Sequence, residues 1–162
     1  MISLVYLIAA LLFATLHWSL RRSARHLGGA VEIFLSYLFF FCVGLQGLVA
    51  AYFHTFRAAE TAARIGWAPG SPFQFEVAMG NLGLGVIGIL AVKFRRGFWL
   101  AVAVFNAVYL WGCAYGHMVQ QRLGDNAPYN TGVFLWVGDV AVPLGILELT
   151  VVYFVRGKGD KP

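Results

Sequence analysis

An all-α fold, a polytopic membrane bundle of five transmembrane helices, is predicted for this chain by three observations. Five apolar runs follow one another along the 162 residues, each of about twenty residues and so long enough to cross a bilayer core of roughly 30 Å. Hydrophobic residues make up 60% of the chain and charged ones 12%, with a mean hydropathy of +0.73, which excludes an ordinary soluble domain. The basic residues lie between the runs: the turns after the first and third runs and the C-terminal tail hold nine of the twelve Lys and Arg. That asymmetry predicts an N-terminus outside and a C-terminus in the cytoplasm. A single transmembrane domain, residues 1–162, is expected for this length. The net charge of +5 belongs to the membrane pattern, and without a basic groove or a known module nucleic acid is not an expected partner.

The first run, residues 2–20, lacks the basic n-region of a secretory signal and is long for its apolar region, so it reads as a transmembrane helix. His17, near its end, reads as an interfacial or packing residue. Arg21, Arg22, Arg25 and His26, with Gly28 and Gly29, form a basic turn. The second run, residues 30–53, carries Gln46 between Gly44 and Gly47, and has Glu32 in its first turn. A carboxylate there suits the helix dipole and can pair with the basic turn. Beyond it, Phe56, Ala59, Ala63 and Trp67 recur at helical spacing, while Arg57, Glu60 and Arg64 share the other side. The pattern predicts a short amphipathic surface helix between helices two and three, apolar face down over the outer end of the bundle and charges in water. Gly66 and Pro69-Gly70 would end it.

The third run, residues 72–92, is expected to be the buried central helix. Ser71 reads as its N-cap, Pro72 as its first residue and Gln74 as the partner in a capping box. Glu76, Gly80 and Gly83 share one face, and Ala78, Asn81, Gly85 and Gly88 lie on the other. Small residues on both faces predict helix neighbours on both. After Lys93, Arg95, Arg96 and Gly97 comes the fourth run, residues 98–119, with Asn106, Cys113 and His117 on one stripe. A polar loop at 120–130 leads to the fifth run, residues 131–154, which sets Gly132, Trp136, Asp139 and Pro143 on one face and Glu148 opposite. Pro143 has no N–H to give the carbonyl of Asp139. Trp18, Trp99 and Tyr153 predict an inner aromatic belt, and Tyr52, Trp67 and Tyr129 an outer one. Cys42 and Cys113, each alone in an apolar run, read as small buried residues.

At ~1.5 Å per residue, Glu76 lies ~7 Å, His117 ~6 Å and Asp139 ~13 Å inside the outer ends of their helices. An acid near the bilayer centre costs about 2.5–3.5 kcal/mol even on the lenient insertion scale. Glu76, His117 and Asp139 are therefore expected to converge in one outer-leaflet polar pocket, with Asn81 and Asn130 as supporting donors. Two function classes follow. The pocket serves a small ligand, a metal, a quinone or a proton relay; or the cluster is structural and the chain is a non-catalytic subunit of a larger membrane complex or a homo-oligomer. The metal reading uses Glu76, His117 and Asp139, one His with two carboxylates, which suits iron, manganese or zinc but lacks the second His of the usual motifs. A b-type haem would use His54 and His117. Phosphate loops, nucleophile elbows and CxxC pairs are missing from the sequence, so no reaction class follows.

The stretches GSPFQFEVAMGNL (70–82), GHM (116–118) and APYNTGVFLWVGDVAVP (127–143) resemble a family of small bacterial integral membrane proteins known only as a domain of unknown function. The resemblance covers residues 60–150 and its stretches contain Glu76, Asn81, His117, Asn130 and Asp139. It implies a multi-pass protein of the bacterial inner membrane and supplies no activity. Family members often read APGN where this chain has Ala127-Pro128-Tyr129-Asn130, which removes a glycine from the loop.

Overall fold

The computed structural model describes residues 2–21, 23 and 26–156. Arg22, Arg25, Lys158 and Lys161, counted in the charge asymmetry, lie outside the described residues. Six helices occur among the described residues: α1 (Ile2–Leu20), α2 (Leu27–Phe56), α3 (Ala58–Ile65), α4 (Phe73–Leu90), α5 (Gly97–Arg122) and α6 (Phe134–Arg156). All but α3 are long and apolar enough to cross a membrane.

Helix boundaries follow local chemistry. α2 starts at Leu27 rather than residue 30 because His26, in extended backbone, caps it: His26 Nδ1 accepts from the Gly29 N–H at 3.2 Å. α4 starts at Phe73 without a side-chain cap. The expected capping box is not made; the buried Gln74 side chain instead donates from Nε2 to the Ala58 carbonyl at 2.7 Å, tying α4 to α3. α6 starts at Phe134 rather than 131, since Gly132 adopts φ 67, a turn of the chain that a helix cannot contain.

α2, not α4, occupies the centre of the bundle: 44% of its apolar span is buried, against 33% for α4. α4 is buried chiefly on one side. There its backbone lies directly on that of α2, so that a Cβ on Gly47 would stand 2.6 Å from Gly85 N, and one on Gly88 2.7 Å from Gly44 Cα. On the side of Glu76, a Cβ on Gly80 would meet the Tyr109 ring of α5 at 3.1 Å, but one on Gly83 would meet nothing within 4 Å. α1 is the most peripheral span, with only Ser3, Ala10 and Ala14 buried.

The core runs through Leu35, Phe39, Trp99 and Ile146, all fully buried. Trp99 is thus no belt residue. The end of α4 leaves carbonyls without intrahelical partners, and Trp99 Nε1 donates to that of Ala91 at 2.7 Å, with Tyr153 packed 5.0 Å away between ring centres. Among the described residues Glu32 pairs with Arg95 of the distant α4–α5 turn, at 2.9 Å.

Two spans contain wide π turns, Phe39–Leu45 in α2 and Phe134–Ala141 in α6. The second has a cause in sequence. Pro143 offers no N–H to Asp139, and the ladder has already slipped: the Val142 N–H bonds the carbonyl of Val137, five residues back.

α3 forms as expected but docks on a different face. Thr61, Ala62 and Ile65 are buried, Ala59 and Ala63 are exposed, and Phe56 is 71% exposed. Arg57, at φ −124 and ψ 37, breaks the chain between α2 and α3, so Phe56 belongs to α2 and the helical phase restarts at Ala58. Glu60 on the outward side is held by both Arg57 and Arg64, the latter at 2.9 Å. The Arg57 charge, with hydrogen bonds from both guanidinium groups, holds the Glu60 carboxyl below its ordinary value.

Candidate functional site

The end of the bundle covered by α3 brings together three buried polar residues. His117 comes from the last turns of α5, and Asp139 from the π turn of α6; both are buried. Asn130, fully buried, comes from the 3₁₀ turn Pro128–Asn130 between those helices. His117 Nδ1 and Asn130 Oδ1 lie 2.6 Å apart, and His117 Nε2 lies 3.8 Å from Asp139 Oδ2.

The orientation of Asn130 is set by its loop. Asp125 Oδ1 accepts from the Ala127 N–H at 3.0 Å, closing an Asx turn, and Asn130 Nδ2 donates to the Asp125 carbonyl at 3.3 Å. This leaves Asn130 Oδ1 toward His117 as an acceptor, and the imidazole must donate to it from Nδ1. For a neutral ring Nε2 then carries a lone pair. It faces Asp139 Oδ2, which is buried without a hydrogen-bond partner. With Asp139 ionised, two acceptors then confront each other at 3.8 Å, beyond hydrogen-bond length.

Neighbours hold the pair in place. The Phe134 ring stands edge-on to His117 at 6.0 Å and is itself stacked on Tyr129 at 4.2 Å. Gln120 joins α5 to the α3 cover: with its amide oxygen accepting from Trp67 Nε1 at 3.0 Å, its nitrogen reaches the Ile65 carbonyl at 3.1 Å and Asn130 Oδ1 at 3.2 Å. Gly66, at φ 86, ends α3 against Asp125, whose carboxylate occupies the space a Cβ would need. Beside Gly138, the neighbour of Asp139, Ser3 Oγ and Gln46 Oε1 are also buried and unpartnered. A Cβ on Gly138 would lie 2.8 Å from Ser3 Oγ and 4.0 Å from Gln46 Nε2.

Of the residues predicted for the pocket, the structure brings together His117, Asn130 and Asp139. Glu76 does not join them. It is exposed on the first turn of α4, because the interior face of that helix is the one carrying Asn81, Gly85 and Gly88. Asn81 serves a different contact, donating from Nδ2 to Tyr109 Oη at 3.0 Å and to the Val77 carbonyl at 2.9 Å. Among the described residues no group of three His, Cys, Asp or Glu side chains could hold a metal ion, so Glu76, His117 and Asp139 form no metal centre here. His54, the second residue of the haem reading, lies against Trp67 at 6.2 Å with its Nδ1 buried and unpartnered. Gln120, Tyr109 and Ser3 were not foreseen as partners; the sequence reading puts Gln120 in the polar loop 120–130, whereas α5 continues to Arg122.

The fold defines a polytopic membrane protein whose five candidate spans contact the lipid bilayer. The chain belongs to a family of unknown function, DUF6790, whose profile matches residues 1–158. No match was found among curated proteins or among solved structures.

Proposed function

We propose that this protein, in a bacterial inner membrane with its N-terminus outside, uses the His117–Asp139 pair as a proton-binding site in the outer leaflet. The observation that carries the reading is the pair of facing atoms, His117 Nε2 and Asp139 Oδ2, 3.8 Å apart, the latter buried with no hydrogen-bond partner. A single proton added to either atom turns the clash of lone pairs into a charge-assisted hydrogen bond. A small ligand offering one N–H or O–H would satisfy the same two atoms. Histidine beside a carboxylate is suited to taking up and releasing a proton in the physiological range. Position in a π turn supports the reading too, since such turns recur at functional sites.

The test is nitrogen-15 spectroscopy of the histidines, with His117 assigned by its loss in His117→Asn. The expected result is a neutral ring protonated at Nδ1, whose Nε2 gains a proton on acidification. In Asp139→Asn the new amide donates to Nε2, and that step disappears. An Nε2-protonated neutral ring would overturn the proposal. Orientation is tested separately by Lys158→Cys, which should resist an impermeant thiol reagent applied from outside.

A second reading, an accessory subunit of a larger membrane assembly, is favoured by Glu148. It is exposed on α6, ~12 Å along the helix from Arg156, where an acid facing lipid costs about 2.5–3.5 kcal/mol. Stoichiometric co-purifying chains in mild detergent, crosslinked through Glu148→Cys, would support it; a lone monomer would count against it.

A further inference from the structure

At the end of the bundle opposite His117, a cavity of about 860 Å³ opens between α1, α2, α6 and the α4–α5 turn. Its rim is cationic: Arg21, His26, Arg95, Arg96 and Arg156 line it, from three separate segments of the chain. One carboxylate, Glu32, faces them and is taken by Arg95 at 2.9 Å. Arg21, Arg96 and Arg156 form no ion pair among the described residues. The floor is apolar, with Ile33, Phe40 and Val152, and Tyr37 stands on its wall with its hydroxyl 3.3 Å from His17 Nδ1.

Arg96 adds an independent sign. At φ 57 and ψ −119 it is the one described non-glycine residue with positive φ. Arginine has no preference for that conformation, which costs about 1–3 kcal/mol and persists where the surroundings demand it. In the sequence the basic turns serve orientation alone; in three dimensions they converge on one concavity.

We infer that this cavity binds a phosphate ester, its anion held by Arg21, Arg96 and Arg156 at the rim and any attached chain laid on the apolar floor. Arginine's planar fork matches phosphate oxygens in two-point hydrogen bonding, and basic pockets between transmembrane helices receive acidic headgroups in this manner. Three guanidinium groups with no ion pair among the described residues, around a cavity of this size, exceed what a neutral headgroup would need. The ester can come from an acidic lipid of the membrane or from a soluble phosphate.

The full chain in mild detergent, examined by native mass spectrometry, distinguishes these. The probes are phosphatidylglycerol, phosphatidylcholine and glycerol phosphate. Binding of phosphatidylglycerol or of glycerol phosphate, well above phosphatidylcholine, is the expected result. The double variant Arg21→Gln with Arg156→Gln should lose roughly thirtyfold in affinity for the phosphate probe, about a factor of five per arginine. Its lysine counterpart should keep most of it. Ser36→Phe, which fills the floor, tells the sources apart: lost phosphatidylglycerol binding with retained glycerol phosphate binding identifies a lipid, and unchanged glycerol phosphate binding that competes out phosphatidylglycerol identifies a soluble ester. Arg21 and Arg156 are both exposed, and melting of the variant in lipid-free detergent checks that the fold is intact. Equal retention of phosphatidylglycerol and phosphatidylcholine with no glycerol phosphate bound, or undiminished binding by the folded double variant, would overturn the inference.

Discussion

Replacing Gly88 by alanine adds one methyl group where none fits. The new Cβ would stand 2.7 Å from Gly44 Cα and 2.8 Å from the carbonyl carbon of Val43, whereas unstrained carbon contacts begin near ~3.5 Å. These atoms, and the Gly44 nitrogen that lies closer still, are backbone and cannot rotate aside, so α2 and α4 must part locally by at least ~0.8 Å. A gap of that size forfeits about a quarter to a half of each dispersion contact it opens, along a seam that also contains Gly44, Gly47 and Gly85. Overpacking of this kind costs about 1–3 kcal/mol, and the length of the seam places Gly88→Ala in the upper half of that range. Gly83→Ala is the internal control. Nothing lies within 4 Å of its Cβ position, and helix propensity alone favours alanine there by up to ~1 kcal/mol. Unfolding in mixed micelles of rising dodecyl sulfate content, followed by helical circular dichroism, reads both. The Gly88→Ala midpoint should fall and the Gly83→Ala midpoint should hold or rise. Equal shifts in the two variants would refute a seam limited by backbone contact.

Two further outcomes follow from the α3 cover. Gln74→Leu removes the 2.7 Å bond to Ala58 while keeping the buried volume, so amide exchange across residues 58–65 should speed up with the five spans unchanged; slow exchange in the variant would mean that apolar docking alone holds α3. Glu60 should titrate below an ordinary glutamate because Arg57 and then the Arg64 hydrogen bond favour its charged form. With a depressed folded value, the pairing stabilises α3 fully above the unfolded value and is lost as the pH falls through the folded one. Carbon-13 titration of the carboxyl should place the Arg57→Gln midpoint above that of the unaltered chain, and identical midpoints would remove the pairing from the account.

The spans were legible because apolar length is a one-dimensional property, and no other reading accommodates five such runs. Their ends were less so: a histidine cap on α2 carries no strong sequence signal. The face of α3 was misjudged because the helical phase was carried through Arg57, where the chain breaks. Glycines on two faces of α4 announced close approach without saying that one side would remain open at Gly83. Depth along each helix was readable, and so His117, Asn130 and Asp139 were named together. The direction in which a helix turns about its own axis was not, and Glu76, at a similar depth, faces outward. Gln120 and Tyr109 escaped notice because a hydrogen bond between distant helices leaves no trace in spacing.

The wide turns at Phe39–Leu45 and Phe134–Ala141 amount to one surplus residue in each of two otherwise regular helices. Elsewhere in a span, deleting a residue swings every later side chain by ~100° about the axis and would carry a packed face into lipid. Within these two turns the same deletion merely tightens the coil, and both flanking segments can keep their facing. The chain therefore has two places where its length can change by one without rewriting the rest, and one of them contains Asp139. Shortening that turn would leave the span in place while re-aiming the acid, so natural length variation there would alter the site and spare the scaffold.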